Sequence, residues 1–145
     1  MGGALRDYLT DEIVTDIDFV INEDIKKLSK KISKNNIIVR DKYIKYKTIS
    51  LIINKKEYHI TSFRKDLISY GRSALVDIAA SLNDDVKRRD FTINSLYLDS
   101  KGNLTDFLNG ENDLIKRKLV FIGNPVERIE EDYLRIIRFC RFSGN

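Results

Sequence analysis

A chain of 145 residues is long enough for one domain with a real core, and its balance of 33% charged to 42% hydrophobic residues excludes a disordered segment. Its one cysteine, Cys140, excludes an internal disulfide and suits a reducing cytoplasm, and no apolar run approaches the ~18 residues of a membrane span. The net charge of +4 is compatible with a polyanionic partner without demanding one.

The chain opens on Gly2-Gly3-Ala4-Leu5-Arg6-Asp7. Two glycines before a helix predicted over residues 4–9 leave backbone N–H groups uncovered at its positive end, where a phosphate can approach, and Arg6 lies one turn in. A Gly-Gly start is also what a flexible terminus looks like. Over 13–21, Ile13, Ile17, Phe19 and Ile21 fall on odd positions and Val14, Asp16, Asp18 and Val20 on even ones, which predicts a strand. Both carboxylates then share one face about 7 Å apart. Like charges so close repel unless a cation sits between them, and hard oxygen ligands of this kind suit magnesium. An exposed strand face with two incidental acids is the plainer alternative for a lone D-x-D. Joined to Gly-Gly and Arg6, the pair describes a triphosphate held by backbone and arginine beside a metal bound to two aspartates.

Asn22 is the predicted cap of a helix to residue 33, whose Lys26, Lys27, Lys30, Lys31 and Lys34 read as a solvated face. Strands follow over 37–40, 48–53 and 57–63, the last two joined by a turn at Asn54-Lys55-Lys56. Residues 64–76 have little periodicity and read as a mobile loop beside the site. A helix over 83–97, capped by Asn83, buries Val86, Phe91 and Leu96 and points Arg88 and Arg89 elsewhere. A hairpin over 96–107, a helix over 110–117 and a short strand over 119–122 lead to Pro125, which starts a final helix running to 142. Along that helix Asp132, Arg135, Arg138 and Arg141 recur every three residues, each about 60° further round, with Leu134, Ile137 and Phe142 packed behind the stripe. Three arginines with one nearby acid are poorly balanced for mutual pairing and well suited to phosphate or base edges.

Four motifs, at 2–7 (GGALRD), 16–18 (DID), 85–94 (DVKRRDFTIN) and 131–142 (EDYLRIIRFCRF), resemble in order and spacing the head and neck of class II (bacterial-type) CCA-adding tRNA nucleotidyltransferases and of the related bacterial poly(A) polymerases. The resemblance covers nearly the whole chain. It implies an α+β nucleotidyltransferase (polymerase-beta-like) fold, a mixed sheet with helices, with residues 1–122 as catalytic head and 123–145 as the first helix of an all-α neck. It implies catalysis by Asp16 and Asp18 holding Mg2+, and nucleotide contacts from Gly3, Arg6 and Arg89. Asp132 and Arg135 would match the Watson-Crick edges of C and A, supported by Arg138 and Arg141. Such enzymes usually place a third carboxylate where this chain has His59, with Glu57 on the same face two residues earlier. The 64–76 stretch looks like the flexible loop of CCA-adding and A-adding members. The implied partners are ATP, CTP and a tRNA 3′ end, in the cytoplasm and away from membrane.

Relatives begin with a short strand before Gly-Gly and continue into helical body and tail domains, so the chain is expected to be a fragment or split gene product, its tRNA grip coming from those domains or a companion chain. Two alternatives compete with CCA addition. A poly(A) polymerase head would carry a G-R-R-F-like basic segment that 40–46 lacks, and a non-catalytic RNA-binding remnant would bind no magnesium nucleotide.

Overall fold

The computed structural model describes residues 1–32, 37–70, 73–78 and 81–144, with 65–70 and 73–78 followed through their backbone. After helix α1 (Gly3–Leu9) comes a sheet built from β1 (Asp18–Ile21), β2 (Ile38–Arg40), β3 (Thr48–Ile53) and β4 (Lys56–Ser62), in the order β1-β4-β3-β2. β1 runs parallel to β4, and the other neighbours are antiparallel, so the sheet is mixed as expected. The β3–β4 turn has positive φ at Asn54 (50°) and Lys55 (65°), the backbone twist that joins two strands tightly. β1 is shorter than the predicted strand. Residues 12–17 are irregular, so Asp16 precedes the strand and Asp18 begins it.

Helix α2 (Ile25–Ile32) covers this sheet, burying Ile25 against Ile49 and Leu51, with Leu28, Val39 and Ile60 packed around them. Its cap is Asp24 and not Asn22, because the Asp24 carboxylate reaches the amides of Lys26 (2.8 Å) and Lys27 (3.2 Å). The end of the predicted helix at Ser33 lies outside the described residues.

Where a mobile loop was expected, β5 (Arg64–Tyr70) and β6 (Ser73–Ile78) form an antiparallel ribbon. Backbone pairing makes that ladder, and side-chain periodicity does not report it; Gly71 and Arg72 of the expected loop lie outside the described residues.

The predicted 83–97 helix is also corrected. α3 (Leu82–Lys87) is capped by Ser81 in a reciprocal box with Asp84, and it stops at Arg88. Phe91 is extended (φ −125°, ψ 150°) and bridges antiparallel to Phe121. Thr92 N donates to Val120 O (3.0 Å) and Ile122 N to Asp90 O (2.9 Å), pairing that a helix could not supply. This bridge is what forms of the expected 119–122 strand.

A 3₁₀ turn at Thr92–Asn94, the short hairpin β7 (Tyr97–Leu98) and β8 (Leu104–Thr105), and α4 (Gly110–Ile115) follow. α4 lies so close to the turn that a Cβ on Gly110 would fall 2.2 Å from the Thr92 carbonyl oxygen. The chain ends in α5 (Pro125–Glu131) and α6 (Leu134–Ser143) in place of one helix. Asp132 is extended (φ −156°, ψ 103°), and its carboxylate accepts from Leu134 N (3.1 Å), capping the new helix. Asp132 therefore leaves the arginine stripe, and Ile137, expected to be buried, is exposed. α6 instead packs through Phe139 and Phe142, whose rings lie 6.2 and 5.8 Å from Phe91, with Phe121 at 4.7 Å.

Candidate active site

Gly2 starts the site. Its φ of 58° suits glycine, its amide donates to Leu96 O (2.8 Å), and an added Cβ would meet Arg89 Nη1 at 2.8 Å. The Met1 ammonium reaches the Asp18 carbonyl (2.9 Å), so the start of α1 is tied to β1. Gly3 is half-buried in the first turn. Arg6 leaves α1 on another side: Nη1 donates to Asn94 Oδ1 (2.6 Å), Nε to Asp7 (2.9 Å), and the guanidinium lies 4.6 Å from the Phe142 ring centre.

α6 brings two more arginines to that ring. Arg141 stacks at 4.5 Å and Arg138 at 5.7 Å, while Arg138 Nε also donates to Asp90 Oδ2. Burial would raise the Asp90 carboxyl, but Arg138, the Asn94 amide and the Phe91 N–H outweigh it and hold its pKa below the usual value. The expected lack of acids for the arginines is thus corrected. Asp90 serves Arg138 and Glu131 serves Arg135, and among the described residues Arg141 has no ion pair.

Arg135 is 8% exposed and turned inward, where Nη1 donates to Arg128 O (2.6 Å) and Glu131 Oε2 (2.8 Å). Arg128 in turn donates to the carbonyls of Arg88 (2.6 Å) and Arg89 (2.9 Å), fastening α5 to the end of α3. Arg89 is also drawn inward. Its donors engage the Tyr97 hydroxyl, Asn94 O, Met1 Sδ and Asp85, so it supports Gly2 from beneath. Asp85 is fully buried, and burial would raise its pKa; Arg88, Arg89 and the Tyr97 hydroxyl more than offset that and lower it. Burial pushes the Tyr97 hydroxyl well up, so it stays a neutral donor to Asp85.

Asp16 is exposed and Asp18 half-buried, and among the described residues neither carboxylate has a hydrogen bond or ion pair. The nearest protein cation is the Met1 ammonium on the Asp18 carbonyl, and two hard oxygen donors with no side-chain partner are the kind that suits a divalent ion completing its shell with water and phosphate. His59 stands beside Asp18 in register, and its Nδ1 is engaged by Ser50 Oγ (2.9 Å). Glu57 pairs across the sheet with Ile52 and faces Arg40 at 3.8 Å. Among the described residues no three His, Cys, Asp or Glu side chains cluster closely enough to hold a metal.

Asp85, Asn94 and Arg128 were missed as site-building residues. For Asp85 the signal was present, since Arg88 and Arg89 stand three and four residues on, at the spacing of helical ion pairs. The contacts of Asn94 with Arg6 and of Arg128 with the Arg88 and Arg89 carbonyls join distant residues, which no local pattern reports.

The Poly A polymerase head domain family matches residues 1–120. Over 144 residues the chain is 37% identical to the human mitochondrial CCA tRNA nucleotidyltransferase 1, covering 99% of this chain and 33% of that protein. It resembles the solved CCA-adding enzyme of Bacillus stearothermophilus in complex with CTP with a TM-score of 0.83 and 29% identity, covering 97% of this chain and 33% of that one. A tRNA nucleotidyltransferase complexed with a primer tRNA and an incoming ATP analog gives 0.75 and 30%, covering 99% of this chain and 40% of that one. The chain thus spans about a third of the length of the curated relatives it matches.

The mixed sheet with its flanking helices is the nucleotidyltransferase fold, and the protein is of that class. Within the class, the chain belongs to the poly(A) polymerase head-domain family, and the curated proteins it is similar to include CCA-adding enzymes. Enzymes of this family are nucleotidyltransferases that generally depend on a metal ion. Among the described residues, no helix is long and apolar enough to cross a membrane.

Proposed function

We propose that this chain is the catalytic head, residues 1–122, and the start of the neck, residues 123–145, of a CCA-adding enzyme that transfers C and A from CTP and ATP to a tRNA 3′ end without a nucleic-acid template, in the cytoplasm. The observation that carries the reading is the position of α1. Met1, two residues before the helix, is bonded to β1 at the Asp18 carbonyl while Arg6 of α1 lies on the ring of Phe142 in α6, so the D-x-D strand and the arginine helix converge on one short helix. The likeness to enzymes solved with CTP and with primer tRNA supports the same reading.

Asp16 and Asp18 would hold Mg2+, which when bound supplies charge neutralisation at the α-phosphate and an activated RNA 3′-hydroxyl. Gly3 and Arg6 hold the triphosphate. Arg89 serves through Gly2, whose backbone it underlies. Arg135 keeps Nη2 and Nε for the base, since its bonds to Arg128 O and Glu131 use Nη1. Asp132 keeps Oδ2, since Oδ1 caps α6. Together that carboxylate and guanidinium would offer one acceptor and two donors to a Watson-Crick edge, a pattern C and A can satisfy. Arg138 and Arg141 add positive charge beside them, and positioning with electrostatics does the rest.

The test is incorporation of labelled CTP and ATP into a tRNA lacking its 3′ end, with and without magnesium. Asp16→Ala and Asp18→Ala are expected to abolish transfer while nucleotide binding partly survives, and Arg135→Ala to blur the choice of C and A. Full activity in either aspartate variant discredits the metal assignment. Long A tails from ATP alone would assign a poly(A) polymerase instead, and absence of magnesium-dependent nucleotide binding a non-catalytic remnant.

A further inference from the structure

Asn94 is 5% exposed, and its amide is used at both ends. Oδ1 accepts from Arg6 Nη1 (2.6 Å) and Nδ2 donates to Asp90 Oδ1 (3.1 Å). Asp90 Oδ2 receives Arg138 Nε. The result is a hydrogen-bonded chain, Arg6–Asn94–Asp90–Arg138, crossing from α1 through the Thr92–Asn94 turn to α6. Asn94 is itself pinned, since its amide N–H donates to Phe91 O (3.0 Å) and its carbonyl accepts from Arg89 (2.9 Å). The polarity of the link requires an amide. A carboxylate at 94 would face Asp90 as a like charge, and an aliphatic side chain would leave both Arg6 and Asp90 a partner short.

We propose that Asn94 is a positioning residue that fixes the Arg6 guanidinium and so its fit to the polyphosphate of a nucleoside triphosphate. The inference rests on the nucleotide-binding reading above. Asn94 acts through Arg6 and does not touch the ligand.

The test is a double-mutant cycle on the 145-residue chain, reading CTP and cytidine affinity by calorimetry in magnesium for wild type, Arg6→Ala, Asn94→Leu and the pair. Asn94→Leu is expected to weaken CTP about tenfold and cytidine not at all, the loss expected for one charge-assisted contact. The double variant is expected to bind CTP no more weakly than Arg6→Ala alone. Asn94→Ser, too short to reach Arg6, gives the same non-additivity and serves if the leucine variant does not fold. Additive losses, or wild-type CTP affinity in Asn94→Leu and Asn94→Ser, overturn the proposal. No CTP binding by the wild-type chain sinks the nucleotide-binding reading, and this inference with it.

Discussion

Under α2 the four-stranded sheet buries Ile25, Ile49 and Leu51, whereas the stretch from Asp85 to Asn94 and Ser95 buries two acids, a threonine, an asparagine and a serine around Phe91 and Leu96. The first region also buries Ser50, Thr61 and Ser62, but its contact with α2 is made by apolar area, which is non-directional and tolerates exchange of one aliphatic side chain for another. The second is held by bonds that each need a named partner at a named angle, and removing one partner strands the other. The residues expected to meet the nucleotide hang from the second region. Arg6 hangs from Asn94, Arg138 from Asp90, and Gly2 rests on Arg89. Precision in the site is thus derived from directional contacts, and the aliphatic half supplies the platform.

Breaking the directional half should cost most. Asp85→Ala leaves Arg88, Arg89 and the Tyr97 hydroxyl without their common acceptor and is expected to lose about 3–5 kcal/mol in urea unfolding. A loss below about 1 kcal/mol would mean that the aromatic cluster alone holds this half. Ile49→Ala in the other half is expected to cost about 3 kcal/mol by opening a cavity, and CTP affinity of the folded fraction should not change. Reduced CTP affinity there would erase the contrast between platform and site. Gly110→Ala sharpens it from the opposite direction. About 2 kcal/mol of overpacking against the Thr92 carbonyl should be accompanied by weaker CTP binding, because the displaced turn carries Asn94.

Smaller effects follow from charge. The Asp90 carboxyl is lowered in the folded chain, so its contribution is fully present above the ordinary value of 3.8 and is lost as pH falls through the lower folded value. Acid unfolding of the wild type should therefore steepen below that pH, and Asp90→Asn should flatten this part of the profile. Glu57→Gln removes only the exposed 3.8 Å contact to Arg40 and is expected to change stability by less than about 0.5 kcal/mol in the same urea titration.

The aliphatic half was largely legible in the chain. Strands expected over 48–53 and 57–63 form at 48–53 and 56–62, and Asn54 marks their turn, so local sequence and tertiary role agree. The directional half was not, because its decisive contacts join distant residues. The helix predicted through 88–97 fails where Phe91 finds Phe121, and the 125–142 helix fails where Asp132 caps α6. Neither event alters the helical period of the sequence. Ser81-Leu82-Asn83-Asp84 did carry a capping box, and reading it would have moved the start of α3 by one residue. The site residues were found as motifs, but their surroundings were not. Arg135 was expected to match a base edge, and nothing in the sequence reports that Arg128 and Glu131 hold one of its nitrogens.

The amide link at position 94 has a consequence for how such a chain can drift among lineages. Aliphatic neighbours under α2 can be swapped one at a time, each step leaving a viable protein. A change at 94 is tolerable only alongside a matching change at 6 or 90, so substitutions along that thread should arrive in company, as correlated columns when descendants of a common ancestor are compared.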